Sequence, residues 1–292
     1  MNDRYFIFGA GYSGRAIARE ALVRGADVHG TTRSPGKADE LRASGVTAHL
    51  FDGSELSPEA VDALEATTHL VVSIAPGDAD PVLATMRQFI AEQTPALRWI
   101  GYLSTVGVYG DHDGAWVDED SELRPMAQRS QERLEAESAW LALGTERGVP
   151  VAVLRLSGIY GPGRNALASL ANGTARRIIR QGQVFNRIHV DDIAGAALCL
   201  GDAAKGDIFN ISDDEPSPPQ DLLVYAARLM GVEPPPEVAF QELEMSPMAR
   251  SFWGECKRVS NARIKRTGYR FRYPDYRVAL DQLWQSGEWR GR

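Results

Sequence analysis

Gly9, Gly11 and Gly14 follow one another as Gly-x-Gly-x-x-Gly immediately after the apolar run at 5–8. Glycines at that spacing, between a strand and a helix, build a phosphate cradle. The first permits a tight turn, the second lets backbone approach a pyrophosphate, and the third lets the helix pack close to the strand. Tyr12 and Ser13 stand inside the loop, at the mouth of a helix expected over 15–24. Free N–H groups and the positive end of the helix dipole gather there. The chemistry implied is dinucleotide binding; a bare glycine turn is the alternative. The next strand, at 27–31, closes on Thr31-Thr32-Arg33-Ser34. It offers no carboxylate for ribose hydroxyls, and Arg33, with Thr32 beside it, stands where a 2′-phosphate would lie. NADP(H) is therefore expected ahead of NAD. Asp52, after the third strand, is placed either near the adenine amino group or in a turn. Ser73 and Ala75 close the fourth strand and would flank the diphosphate and ribose. Thr105 ends the fifth, where a hydroxyl facing a nicotinamide can hydrogen-bond a carbonyl or alkoxide.

These residues need a frame that brings strand ends together. Strand-like runs at 5–8, 27–31, 46–51, 69–75, 98–104 and 151–156 alternate with helical patterns, among them 81–93 and 127–146. Such alternation implies an α/β fold of the Rossmann type: a doubly wound parallel sheet with helices on both faces and right-handed crossovers. Ligands in such sheets sit at the carboxyl ends of the strands. After Gly161-Pro162-Gly163 the pieces shorten and prolines punctuate them. The expected organisation is a dinucleotide-binding domain over 1–161 and a small, interleaved substrate lobe over 162–292, with later strands returning to the sheet. Phe252, Trp253, Trp284 and Trp289 are expected in the core of that lobe.

The chain has 292 residues, 43% hydrophobic and 24% charged, with a net charge of −7. That is an ordinary globular composition, and its acidity argues against a nucleic-acid backbone as a general partner. Cys199 and Cys256 are the two cysteines, without metal-ligand spacing or a disulfide framework. No apolar stretch is long enough for a bilayer, and the first strand begins too early for a secretory leader. The expectation is a cytoplasmic protein, monomer or homodimer, that takes a small-molecule substrate and no metal, nucleic acid or membrane.

Leu103-Ser104-Thr105-Val106-Gly107-Val108-Tyr109-Gly110, Leu154-Arg155-Leu156-Ser157-Gly158-Ile159-Tyr160-Gly161-Pro162-Gly163-Arg164, Ile188-His189-Val190-Asp191-Asp192 and Phe209-Asn210-Ile211 occur in this order behind the glycine loop. Together they resemble the extended short-chain dehydrogenase/reductases, the NAD-dependent epimerase/dehydratase family. The resemblance implies a hydroxyl catalyst at Thr105, a substrate loop after Tyr160, and a Tyr-x-x-x-Lys pair on the helix following Thr105. No Tyr-x-x-x-Lys occurs anywhere in this chain. Aligning Leu134-Glu135-Ala136-Glu137 on the family's helix puts Arg129 at the tyrosine position and Arg133 at the lysine position.

Arginine stays charged and cannot exchange protons near neutrality, but its fork of donors suits a carboxylate or phosphate. Arg133 is thus expected to hold ribose and Arg129 an anionic substrate. A solvated, ion-paired helix face with Glu132, Glu135 and Glu137 is the alternative. If another group supplies the proton, Tyr109 and Tyr102 are the phenols near the same strand end, with His112 a further candidate. Asn165 is expected to reach substrate. His189 is expected to contact substrate or, more simply, support the lobe; Asp191 and Asp192 read as a helix cap. The reading is an NAD(P)-dependent oxidoreductase or epimerase-like enzyme for a small polar, anionic or nucleotide-linked metabolite. A non-catalytic NADP(H)-binding regulator is its alternative, and a structural homodimer module the weakest.

Overall fold

The computed structural model describes residues 3–242, 244 and 253–291, so Phe252 lies outside the described residues. Seven strands form the main sheet: β1 (Arg4–Phe8), β2 (Asp27–Thr32), β3 (Thr47–Leu50), β4 (His69–Val72), β5 (Trp99–Thr105), β6 (Val151–Leu156) and β7 (Asp207–Ile211). Their order is β7-β6-β5-β4-β1-β2-β3. The pairs β1/β2, β1/β4, β2/β3 and β4/β5 are parallel. Helices α1 (Tyr12–Val23), α2 (Pro35–Ala43), α3 (Pro58–Glu65), α4 (Pro81–Glu92) and α5 (Gln128–Arg147) make the crossovers. The direction of winding reverses between β1 and β4, which is where this class of sheet opens a crevice at its strand ends.

The central strands β1 and β4 read as nearly unbroken apolar runs because both of their faces are covered. Phe6, Phe8, Val72, Ile100 and Tyr102 pack with Leu64, Val82, Ile90, Trp140 and Leu143 from the covering helices. Two boundaries differ from the sequence expectation. The fourth strand stops at Val72: the Ser73 N–H still reaches the Phe8 carbonyl at 2.8 Å, and the chain then leaves the ladder before Pro76, which has no N–H to give. The first helix begins at Tyr12, so the second half of the glycine loop is already helical.

Contacts divide the chain into two compact units that alternate along the sequence. The first comprises Met1–Val108, Gln128–Arg155 and Ile193–Phe209. The second comprises Tyr109–Ala127, Leu156–Asp192 and Asn210–Arg292. The second unit contains three short parallel pairs: Gly158–Tyr160 with Arg187–His189, Arg177–Ile179 with Glu237–Ala239, and Trp116–Val117 with Arg258–Val259. Its core gathers Tyr160, Leu167, Leu280, Leu283 and Trp289. Trp253 is also buried, but Trp284 stays 36% exposed and is not the core residue expected.

Asp80 shows how a single side chain sets a helix. It caps α4, one carboxylate oxygen accepting from the Val82 and Leu83 N–H groups at 2.9 Å. The other oxygen accepts from the indole of Trp140 on α5 at 3.0 Å. Asp80→Ala should lower stability by about 1–3 kcal/mol, read from urea unfolding. Asp80→Asn should recover the cap but not the Trp140 bond, because its amide nitrogen cannot accept from the indole, and so should fall between the parent and Asp80→Ala; an unchanged midpoint in Asp80→Ala would contradict the role.

Candidate functional site

At the glycine loop the backbone is folded on itself. The Gly9 N–H donates to Thr31 Oγ1 at 2.9 Å, the Ala10 N–H to the Thr31 carbonyl at 2.8 Å and the Gly11 N–H to the Gly9 carbonyl at 2.7 Å. Gly9 has φ +83°, and a Cβ there would stand 2.7 Å from Ile74. A Cβ on Gly14 would stand 2.6 Å from the Gly9 carbonyl oxygen. Gly11 differs: a Cβ there would meet nothing within 4 Å. The fold itself therefore excludes side chains at Gly9 and Gly14, while the space over Gly11 is open. No side chain caps α1, whose N-cap is Gly11. Ser13 is buried and Tyr12 half-buried at this turn. A pyrophosphate fits such a cradle.

Arg33 follows β2 and is exposed; Thr32 Oγ1 accepts from the Ser34 N–H at 3.4 Å, and α2 begins at Pro35. Ser73 is half-buried and Ala75 exposed beyond the end of β4. Asp52 is exposed, and its Oδ1 is taken by the Ser54 N–H at 3.0 Å and hydroxyl at 2.5 Å. Those hydrogen bonds hold its carboxyl below the usual range and give it the turn role.

At the end of β5, Thr105 is half-buried and its Oγ1 accepts from the Gly107 N–H at 3.1 Å. That bond uses the oxygen as acceptor and leaves the hydroxyl proton to donate. Arg133 reaches the same strand from α5. Its Nη1 donates to the Leu103 carbonyl, and its guanidinium lies over the Tyr102 ring, 5.9 Å from the centroid. Arg129, one turn earlier, is exposed. One turn later comes Glu137, 1% exposed. Its Oε1 accepts from the Ser104 hydroxyl at 2.5 Å, and its Oε2 accepts from Arg155 Nη2 at 2.7 Å. Arg155, on β6, is also 1% exposed. Arg129, Arg133 and Glu137 thus share one face of α5, and the latter two are bonded to Leu103 and Ser104, the two residues before Thr105.

The structure uses Tyr109 and Asn165 otherwise than expected, and shows His189 in the simpler of its two expected roles. Tyr109 is fully buried, its hydroxyl donating to Asn210 Oδ1 at 2.8 Å, so this phenol is a structural tie inside the second unit and not an accessible proton donor. Asn165 caps a helix, Ala166–Ala171: Oδ1 accepts from the Ala168 N–H at 2.9 Å, and Nδ2 donates to the Gly161 and Trp289 carbonyls at 2.8 Å. With all its hydrogen-bonding groups used, Asn165 shapes its loop and does not reach for substrate. His189 is 1% exposed, its ring 4.0 Å from that of Tyr273 and 5.4 Å from that of Tyr160, centroid to centroid. It supports the lobe. Nor is Asp192 a simple cap: it accepts from the Tyr269 hydroxyl at 2.8 Å and from the Arg272 and Tyr273 N–H groups at 2.7 and 3.0 Å. Tyr102 is buried as well, and burial pushes its phenol further up.

A profile of the NAD dependent epimerase/dehydratase family matches residues 6–212, from β1 to the residue after β7. The chain belongs to that family. It is 30% identical over 285 residues to Protein YeeZ of Escherichia coli strain K12, covering 92% of this chain and 96% of that one. Among solved structures it is similar to a functionally unknown conserved protein from Silicibacter pomeroyi DSS, at 44% identity and TM-score 0.87. That match covers 98% of this chain and all of the other. The human epimerase family protein SDR39U1, solved with NADPH, shares the fold at 18% identity and TM-score 0.71, covering 97% of this chain and 99% of its own. Family membership makes the glycine loop and the end of β5 the two places to look for NAD(P) chemistry. Among the described residues no cluster of three His, Cys, Asp or Glu side chains could hold a metal, and no helix is long and apolar enough to cross a membrane.

Sequence reasoning did not single out Glu137 and Arg155. A signal was present: Arg155 interrupts the apolar run Val151–Leu156, and a cation buried in a two-sided strand must find a carboxylate. Glu137→Gln should cost about 3–5 kcal/mol, because it leaves the Arg155 charge buried without its counter-ion. The double substitution Glu137→Leu with Arg155→Met should recover most of that stability. Chemical denaturation of the three proteins checks this, and a single variant as stable as the parent would contradict it.

Proposed function

We propose that this protein is an NADP(H)-dependent oxidoreductase or epimerase-like enzyme acting on a small polar, anionic metabolite. The observation that carries the cofactor choice is Arg33, exposed directly after β2, with no carboxylate from Thr31 to Ser34 to accept ribose hydroxyls. The glycine loop would hold the pyrophosphate over Gly11, and Ser73 and Ala75 would line the ribose side. When bound, NADP(H) supplies a hydride donor or acceptor. Thr105, with its oxygen already accepting from Gly107 and its proton free to donate, would polarise the substrate oxygen. Arg133 would steady the nicotinamide ribose, a task that needs a donor and not a proton carrier.

Arg129 in place of a tyrosine carries the second half of the reading. A permanent cation there favours a carboxylate or phosphate and cannot serve as general acid or base near neutrality. The same fact favours a second reading, an NADP(H)-binding regulator without turnover. A mixture of hydroxy- and keto-acids and sugar phosphates offered to the NADPH- and NADP-loaded protein separates the two: any catalysed change in nicotinamide absorbance excludes the regulator.

Two outcomes are expected. Arg33→Ala should weaken NADPH about ten- to hundredfold, the loss of a charge-assisted contact of about 1.5–3 kcal/mol, and leave NADH nearly unchanged. Gly11→Val should abolish binding of both while circular dichroism stays that of the parent. Equal affinity of the parent for NADPH and NADH would overturn the cofactor choice. Separately, phosphate or citrate titrated into the NADPH-loaded protein should change nicotinamide fluorescence, and Arg129→Ala should weaken that response tenfold or more. An identical titration in Arg129→Ala would remove the anion reading and leave the cofactor reading standing.

A further inference from the structure

His29 on β2 and His49 on β3 touch across the outer edge of the sheet. His29 Nδ1 lies 3.0 Å from His49 Nε2. The two ring planes are 8° apart and their centroids are separated by 5.3 Å. That separation is the 3.0 Å contact plus one ring radius at each end, so the nitrogens meet head-on and in plane. A cation would need the two lone pairs to converge on a third point. Head-on rings instead share one proton along the line between them.

Neighbouring charges decide which ring owns that proton. The other nitrogen of His29, Nε2, faces Asp27 Oδ2 at 3.5 Å, and the same oxygen accepts from Arg4 Nε at 2.7 Å. A carboxylate on that side favours the Nε2–H form of His29 and leaves Nδ1 as the acceptor. His49 must then donate from Nε2, which makes its Nδ1 the open lone pair. The groups facing His49 are His29, Arg42 and Glu59; those facing His29 are Asp27 and Arg4. Phe6 is near both rings and almost parallel to them, its centroid 6.3 Å from that of His29 and 6.0 Å from that of His49.

We propose that the His29–His49 pair is an acid-sensitive clasp between β2 and β3 that accepts one proton and is broken by a second. The first proton enters at His49 Nδ1 and leaves the shared N–H···N bond in place. The second has only His29 Nδ1 to enter, in a gap of 3.0 Å already filled by the shared proton. It therefore opens the contact and sets two cations side by side. Burial holds both imidazoles below the ordinary histidine range. The sign follows from linkage: unfolded histidines take up protons below about pH 6.5 while the folded pair resists. The clasp's contribution is thus complete above that pH and is lost as pH falls through the folded range.

His49→Gln is the discriminating variant, because a glutamine amide can donate to neutral His29 or, turned over, accept from the protonated ring. Urea unfolding from about pH 7.5 to 5 should show the parent's folding constant falling relative to His49→Gln as pH falls, by at most about tenfold per pH unit, the slope of one extra proton taken up on unfolding. Carboxylate titrations are common to both proteins and cancel in the ratio. Long-range proton–nitrogen spectra of the histidine rings at pH 7.5 should show Nε2–H on both His29 and His49. Parallel stability curves for the two proteins would overturn the clasp. So would a proton on His29 Nδ1, since the acceptor would then be His49.

Discussion

A carboxylate and a guanidinium sealed from water are an expensive choice for a protein interior, and Glu137 and Arg155 are sealed almost completely. Their desolvation is offset only if geometry is good and the remaining lone pairs are used. Both conditions hold: Arg155 engages Glu137 through Nε and Nη2, and Ser104 takes a further lone pair. The arrangement ties α5, β5 and β6 at one point. An apolar contact in that place could slide, whereas this one has a single satisfactory arrangement. The rotation of α5 about its own axis is thereby fixed, and with it where Arg133 meets Leu103. The end of β5, where Thr105 stands, inherits its precision from a pair that never touches solvent.

The glycine loop imposes the other constraint. Gly9 and Gly14 are required by the fold, since a Cβ on either would press on neighbouring atoms. Gly11 is not required by the fold. A side chain at Gly11 would meet nothing in the fold, so the space over it is open to an approach from outside. The same loop is tied to β2 through Thr31, so the glycine loop and the strand that leads to Arg33 are one hydrogen-bonded piece.

Much of the frame was legible in the sequence because the relevant signals are local. Apolar runs such as Tyr5–Phe8 and Val151–Leu156 are long enough to be strands and too short to be helices. The glycine spacing also carries its own mechanism. The side-chain assignments were less legible, because burial depends on residues far away in the chain. Tyr109 looks like an available phenol until Asn210, a hundred and one residues later, accepts its proton. Asn165 looks like a ligand-binding amide until Trp289 is placed beside it. Glu137 reads as one more acidic residue on a solvated helix beside Glu132 and Glu135. Only the position of Arg155 on β6 turns it inward.

The order in which the sheet is assembled differs from the order in which the chain is made. β6 ends at Leu156 with all six of its residues buried, yet its outer neighbour β7 begins only at Asp207. During synthesis the ribosome must deliver residues 157–206 while β6 stands as an unpaired apolar edge. Such edges are the templates on which chains misassociate, and pairings between distant segments are slow to form. The nascent protein therefore has a vulnerable interval that the finished one does not. Fragments that stop after β6 carry that interval permanently, and for the same reason the amino-terminal half is a poor choice for isolating the nucleotide-binding fold.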